Sequence, residues 1–124
     1  MERKYDLDLR CEIFSAAVIL YTNRIPKSEA GRHMGRQLLR SGTAPALHYG
    51  EVQGAGSQAD FIHKMRGALK ELRESRNNLR VQFRAKLMDG AKEENAWLLN
   101  EAVELVAIFA ASVKTAESNR DKKK

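Results

Sequence analysis

A single cysteine, Cys11, rules out an internal disulfide and a thiolate metal cluster within one chain. Its expected role is that of a small apolar side chain in the core. Proline occurs only at 26 and 45, so long stretches are free of the strongest helix breaker. Aromatic residues make up 6% of the chain, and few fall near its arginines, so stacking on unpaired bases is not expected. No uninterrupted apolar run reaches the roughly 18–20 residues of a membrane span. The charged start, Met1-Glu-Arg-Lys4, leads into further acids instead of a signal-peptide core. A cytoplasmic protein with no membrane partner is therefore expected. Neither strand-like alternation nor an internal repeat is visible, and 124 residues suffice for one domain with one modest core. With 43% hydrophobic and 31% charged residues, general disorder is excluded.

What is present is helical periodicity. The stretch from Ser57 to Met88 contains no proline and repeats at three- and four-residue steps: Ile62, Met65, Leu69, Leu72, Arg76, Leu79, Phe83, Lys86. Ser57 and Asp60 suit the first turn of a helix, and Asp89-Gly90 suits its end in a left-handed residue. A helix of this length, roughly 45–50 Å, is stable in water only when other long helices cover its apolar stripe. Three partners are available. A first helix is predicted over 8–23, with Leu9, Ile13, Ala16 and Leu20 on one stripe widened by Phe14, Ala17, Val18 and Tyr21. Pro26 ends it. A second is predicted over 28–53, kinked or split near Pro45, where small residues at 41–44 let another backbone come close. A fourth runs over 92–117, opened by Glu93 and Glu94 and apolar on more than one face, which implies cover by another subunit. A basic tail, 118–124, should fray. The expected fold is an all-α four-helix bundle occupying residues 1–124 as one domain, assembled with further copies of itself.

Several runs of residues are familiar as a set: Leu39-Arg-Ser-Gly-Thr43, Tyr49, Glu51, Gln53-Gly-Ala55, Ala59-Asp-Phe-Ile-His-Lys64, Ala68-Leu-Lys-Glu71, Arg73-Glu-Ser-Arg76, Leu79-Arg80, Leu105-Val-Ala-Ile108 and Val113-Lys-Thr-Ala116. Together they resemble the small bundle proteins encoded in intervening sequences of bacterial large-subunit (23S) ribosomal RNA genes. The resemblance covers nearly the whole chain and is most specific over 39–80. It implies an up-and-down four-helix bundle and a ring-shaped homopentamer. A more distant likeness is to the accessory variability determinant protein of diversity-generating retroelements, a basic bundle that works with a reverse transcriptase and nucleic acid. This chain departs from the family pattern at Leu47-His48, where Ala-Asn is usual, at Gly50, and at Asn77-Asn78, where an aromatic pair is common.

Charge is distributed unevenly. Residues 1–23 hold three cations against four anions, 24–56 five against two, 57–88 eight against three, and 89–124 six against seven. The two middle helices therefore carry the net positive charge, as a polyanion-facing surface would. Arg32, Arg36 and Arg40 recur on helix two. Arg66, Lys70, Arg73, Arg80 and Arg84 recur on helix three, and adjacent antiparallel helices would merge the two rows into one face for phosphates. Solvation of the row, relieved by Glu71 and Glu74, is the plainer alternative. Arg76 falls in the apolar seam and is expected to need a carboxylate from Glu71, Glu101 or Glu104, in a buried or subunit-bridging pair fixing register.

Catalytic and metal chemistry find no pattern. His33, His48 and His63 lack Glu-x-x-His or His-x-x-x-His spacing. Gly54-x-Gly56 lacks the lysine of a phosphate loop, and Ser41, Ser57 and Ser75 are explained by a kink, a cap and packing. The expectation is a non-catalytic, cofactor-free oligomer that binds RNA or DNA through helices two and three. The alternative is a protein–protein adaptor, for example an accessory subunit of a reverse transcriptase.

Overall fold

In the computed structural model, which describes residues 3–52 and 54–122, the periodicity becomes four α-helices. They are α1 (Arg3–Thr22), α2 (Glu29–Val52), α3 (Gln58–Arg84) and α4 (Lys92–Lys122), with no strand among the described residues. Short turns set each helix beside the next in sequence, and α1 and α4 close the bundle. α1 starts five residues before the expected position 8, and the tail expected to fray is helical through Lys122. Gln53, the expected end of the second helix, and Lys123 and Lys124 lie outside the described residues.

α3 begins as its first residues predict. The Ser57 hydroxyl accepts from the Asp60 N–H at 3.1 Å, and Asp60 Oδ2 accepts from the Gly56 N–H at 3.4 Å. Lys64, one turn on, donates to Asp60 and holds its carboxyl below the usual range. The far end differs from expectation. α3 stops at Arg84 because Lys86 takes the left-handed conformation (φ 56°). The Leu87 N–H then reaches back to the Gln82 carbonyl (3.0 Å) and the Lys86 N–H to that of Phe83 (3.1 Å). These reversed bonds are a Schellman termination, which consumes the carbonyls that a further turn would use. Gly90, expected to be the left-handed residue, lies instead in a 3₁₀ turn, Asp89–Ala91, that leads into α4.

α1 and α2 approach closely where α2 is built from small residues. A Cβ on Gly42 would stand 2.8 Å from both Val18 methyls, and the Ser15 hydroxyl donates to the Gly42 carbonyl at 2.9 Å. In the first turn of α2, a Cβ on Gly31 would lie 1.9 Å from the Pro26 carbonyl oxygen, so only glycine fits. Pro45 is buried and does not split α2, which is helical throughout. Across the bundle, α1 meets α4 over a much shorter seam. Arg10 ties it, donating to Glu101 through Nε and Nη2 (2.9 Å each) and to Glu104 through Nη2 (2.9 Å). The bond to Glu101 is the main reason that the guanidinium's pKa is raised still further.

Phe14, Leu38, Met65, Leu72, Leu79, Leu98, Leu105 and Phe109 fill the core, each contributing roughly 1.5–3 kcal/mol by leaving water. Cys11 is wholly buried among them, and desolvation pushes its thiol up to about 12, as befits an inert apolar side chain. α4 contains an 18-residue window of mean hydropathy 1.6, long and apolar enough to cross a membrane by length and composition, although Glu101 and Glu104 interrupt its apolar run. Here it is one wall of the bundle.

A polar relay crosses this core and touches all four helices. Asn78 Nδ2 donates to the Met34 carbonyl (3.1 Å), Gln82 Nε2 to Asn78 Oδ1 (2.7 Å), and the Tyr21 hydroxyl to Gln82 Oε1 (3.0 Å). Asn95 Nδ2 then donates to the Tyr21 hydroxyl (2.9 Å) and to the Leu79 carbonyl (3.3 Å). Asn95 Oδ1 ends the relay, buried and without a hydrogen-bond partner among the described residues.

Candidate nucleic-acid interface

The eight candidate cations do not form one merged face. On α2 they recur at strict four-residue steps, each of which turns about 40° beyond a full circle. Arg32 and Arg36 therefore flank the α1–α2 groove beside Lys27, while Arg40 has rotated toward α3. There Arg40 donates to Glu71 (2.8 Å) and Glu74 (2.6 Å), and these bonds, Glu74's above all, raise its pKa. On α3 the steps alternate three and four, so Lys70, Arg73, Asn77, Arg80 and Arg84 stay on one outward face. All four cations are exposed, and among the described residues none has a carboxylate within 4.0 Å. Arg66, at the start of that row, pairs with Glu117 of α4.

Within the single chain, Arg76 departs most from its expected place. Its place in the seam is taken by Ser75, which is fully buried and shares a hydrogen bond with the Ser41 hydroxyl at 2.9 Å. Arg76 sits half-buried at the margin, with its Nε donating to Asn77 Oδ1 at 3.2 Å. The carboxylates expected to receive it are taken: Glu71 by Arg40, and Glu101 and Glu104 by Arg10. One heptad on, Gln82 is buried in place of Phe83, which is 57% exposed. Two polar side chains entered the seam because each found a partner on another helix, a fact no periodicity can carry.

Beside the α3 row, His48, Glu51, His63, Lys64, Arg66 and Lys70 line an open cavity of about 490 Å³ between α2 and α3. His48 makes no hydrogen bond among the described residues, so it does not replace the asparagine usual there. Among the described residues, no three His, Cys, Asp or Glu side chains are grouped to hold a metal ion. Ser57 is committed to its cap, and Ser41 and Ser75 to each other.

The architecture is thus an all-α bundle in which α3 presents a row of exposed cations with no carboxylate within 4.0 Å among the described residues, as α2 does at Arg32 and Arg36. No family profile and no curated protein matches the chain. Among solved structures it is similar to the crystal structure of a protein of unknown function from the S23 ribosomal protein family of Bacteroides thetaiotaomicron. The two share 25% identity with a TM-score of 0.79, over 87% of this chain and 98% of that one. A likeness over so much of both chains supports a related family and the same fold. It brings no activity, since the neighbour's function is unknown.

Proposed function

We propose that this chain is a non-catalytic, homo-oligomeric bundle, of the kind found in ribosomal RNA intervening sequences, that binds structured RNA or DNA through the outer face of α3. The observation that carries the reading is a contrast in ion pairing. Arg10, Arg24, Arg40, Lys64 and Arg66 are each paired with a carboxylate, whereas Lys70, Arg73, Arg80 and Arg84, like Arg32 and Arg36 on α2, are exposed with none within 4.0 Å among the described residues. Free cations held on a rigid helix keep their full capacity to displace counterions from phosphates. The row spans about 21 Å of helix, enough to follow a stretch of nucleic-acid backbone. Assembly is favoured by the α1–α4 side, where Leu20 (67% exposed) and Trp97 (47% exposed) line an apolar cavity of about 320 Å³. A ring-shaped homopentamer joined there would present five such rows and gain avidity.

The test is affinity for an RNA duplex at 50 and 200 mM salt. Four phosphate contacts predict a loss of about a hundredfold across that range. Replacing Lys70, Arg73, Arg80 and Arg84 with Gln should abolish binding and its salt slope, while Arg40→Gln should change both little. Absence of binding at low salt, or affinity indifferent to salt, rejects the reading. The Leu20–Trp97 cavity also favours a second reading, in which that face receives a protein such as a reverse transcriptase. Nuclease-resistant association of a purified candidate, lost in Trp97→Glu, would support the adaptor role.

A further inference from the structure

Where the α3 row of free cations ends, a cavity of about 250 Å³ opens beside the Lys86 turn. Its inner wall includes Gln82 and Asn95, which is 2% exposed and whose Oδ1 has no hydrogen-bond partner. That amide cannot simply turn over, because its nitrogen is fixed by two acceptors, the Tyr21 hydroxyl and the Leu79 carbonyl. Turning it would set oxygen against the Leu79 carbonyl. Asn95 Oδ1 is thus an acceptor that the described residues leave unmatched. A second wall is the ring of Phe83, exposed although it occupies an apolar-seam position in the sequence. The rim carries Arg84, Lys86 and Lys92 against one carboxylate, Asp89. Lys86 holds its left-handed backbone where glycine would be unstrained, which keeps an ammonium at the opening.

An apolar ring, an edge acceptor and a cationic rim together fit a planar heterocycle that bears an N–H and an anionic group. We infer that the cavity takes one unpaired nucleotide. Its base lies against Phe83 with an N–H directed to Asn95 Oδ1, and its phosphate sits among Arg84, Lys86 and Lys92. The volume is below the ~300–1,000 Å³ of sites that enclose a whole drug-sized ligand, so the cavity admits one base with its sugar and phosphate outside at the rim, and not a base pair. Recognition of one splayed base at the end of an electrostatic track matches the way proteins read unpaired RNA. This inference rests on the reading of α3 as a nucleic-acid face, and it gives that face a terminus.

The experiment compares three probes at one salt concentration: a blunt RNA duplex, the same duplex with an unpaired 3′ adenosine overhang, and AMP alone. Wild-type protein should bind the overhang duplex roughly tenfold tighter than the blunt one, and the overhang should shift the Asn95 side-chain amide signals in an NMR titration. Phe83→Ala, an exposed truncation, should erase the preference, and Lys86→Gly should reduce it while relieving the turn. Equal affinity of wild type for blunt and overhang duplexes, or a preference that survives Phe83→Ala, overturns the pocket and leaves the α3 reading intact. Saturable AMP shifts at Asn95 without duplex binding would instead keep the pocket, as a site for a free nucleotide, and remove the α3 reading. No response to any of the three probes removes both.

Discussion

α1 is held differently on its two sides. Toward α2 the fit is one of shape: Gly42 lets the backbone meet Val18, Ser15 reaches the Gly42 carbonyl, and Gly31 seats under the Pro26 carbonyl. Toward α4 the contact is short, tied by Arg10 to Glu101 and Glu104 and by Arg24 to Glu94 at 2.7 Å, with Leu20 and Trp97 left open to solvent. The first seam is complete within one chain. The second is bridged by charge at its margins and leaves apolar surface uncovered, which is the usual condition of a face that another molecule completes. On the reading proposed above, this bundle divides its seams between folding and assembly.

That division can be broken from the α2 side first. Gly31→Ala forces a methyl into a backbone oxygen and should cost on the order of 3 kcal/mol, read as a lowered urea midpoint with unchanged slope. Gly42→Ala meets only the methyls of Val18, which can yield a little, so about 1–2 kcal/mol is expected, partly restored by Val18→Ala in a double-mutant cycle. On the α4 side, Arg10→Met leaves Glu101 largely buried without its partner and should cost about 1 kcal/mol, with half that or less for Glu104→Gln. Trp97→Gln should move stability by less than ~0.5 kcal/mol, yet lower the assembled mass in sedimentation; an unchanged mass would remove this face from the interface.

The smallest effect is on acid sensitivity. Lys64 holds the Asp60 carboxyl below its ordinary value, and Arg24 does the same for Glu94. Groups lowered in the folded state stabilise it above their unfolded pKa, near 4, and that contribution fades as pH falls through the lowered values. Because both carboxyls are exposed, Asp60→Asn and Glu94→Gln should flatten the acid limb of a stability–pH curve only slightly, and 0.5 M salt should mimic them.

Much of this fold can be read in the letters, for local reasons. Ser57 and Asp60 carry their cap in their own chemistry, and the small residues around Gly42 announce a close approach without naming Val18. The end of α3 is harder, because Gly90 looks like the better left-handed residue and only the three-dimensional turn reveals that Lys86 takes the role. The seam itself slips. A strict heptad puts Arg76 and Phe83 inward, but at 100° per residue the buried stripe of α3 runs one position earlier, through Ser75 and Gln82, where Ser41 and Tyr21 offer hydrogen bonds. The same arithmetic scattered the α2 arginines and kept the α3 cations together. Which side chain pairs with which carboxylate was the least legible feature: Arg10, unremarked in the sequence, took the acids assigned to Arg76.

Leucine facing leucine is a forgiving contact, and four greasy rods could slide along one another by a turn, about 5.4 Å, with little loss. The chain of amides and one phenol running from Met34 to Asn95 forbids that freedom. Each link donates in the same sense, so displacing any rod would leave several dipoles dry and unmatched at once. Whatever the outer surface binds, it meets helices whose relative heights have been set from the inside.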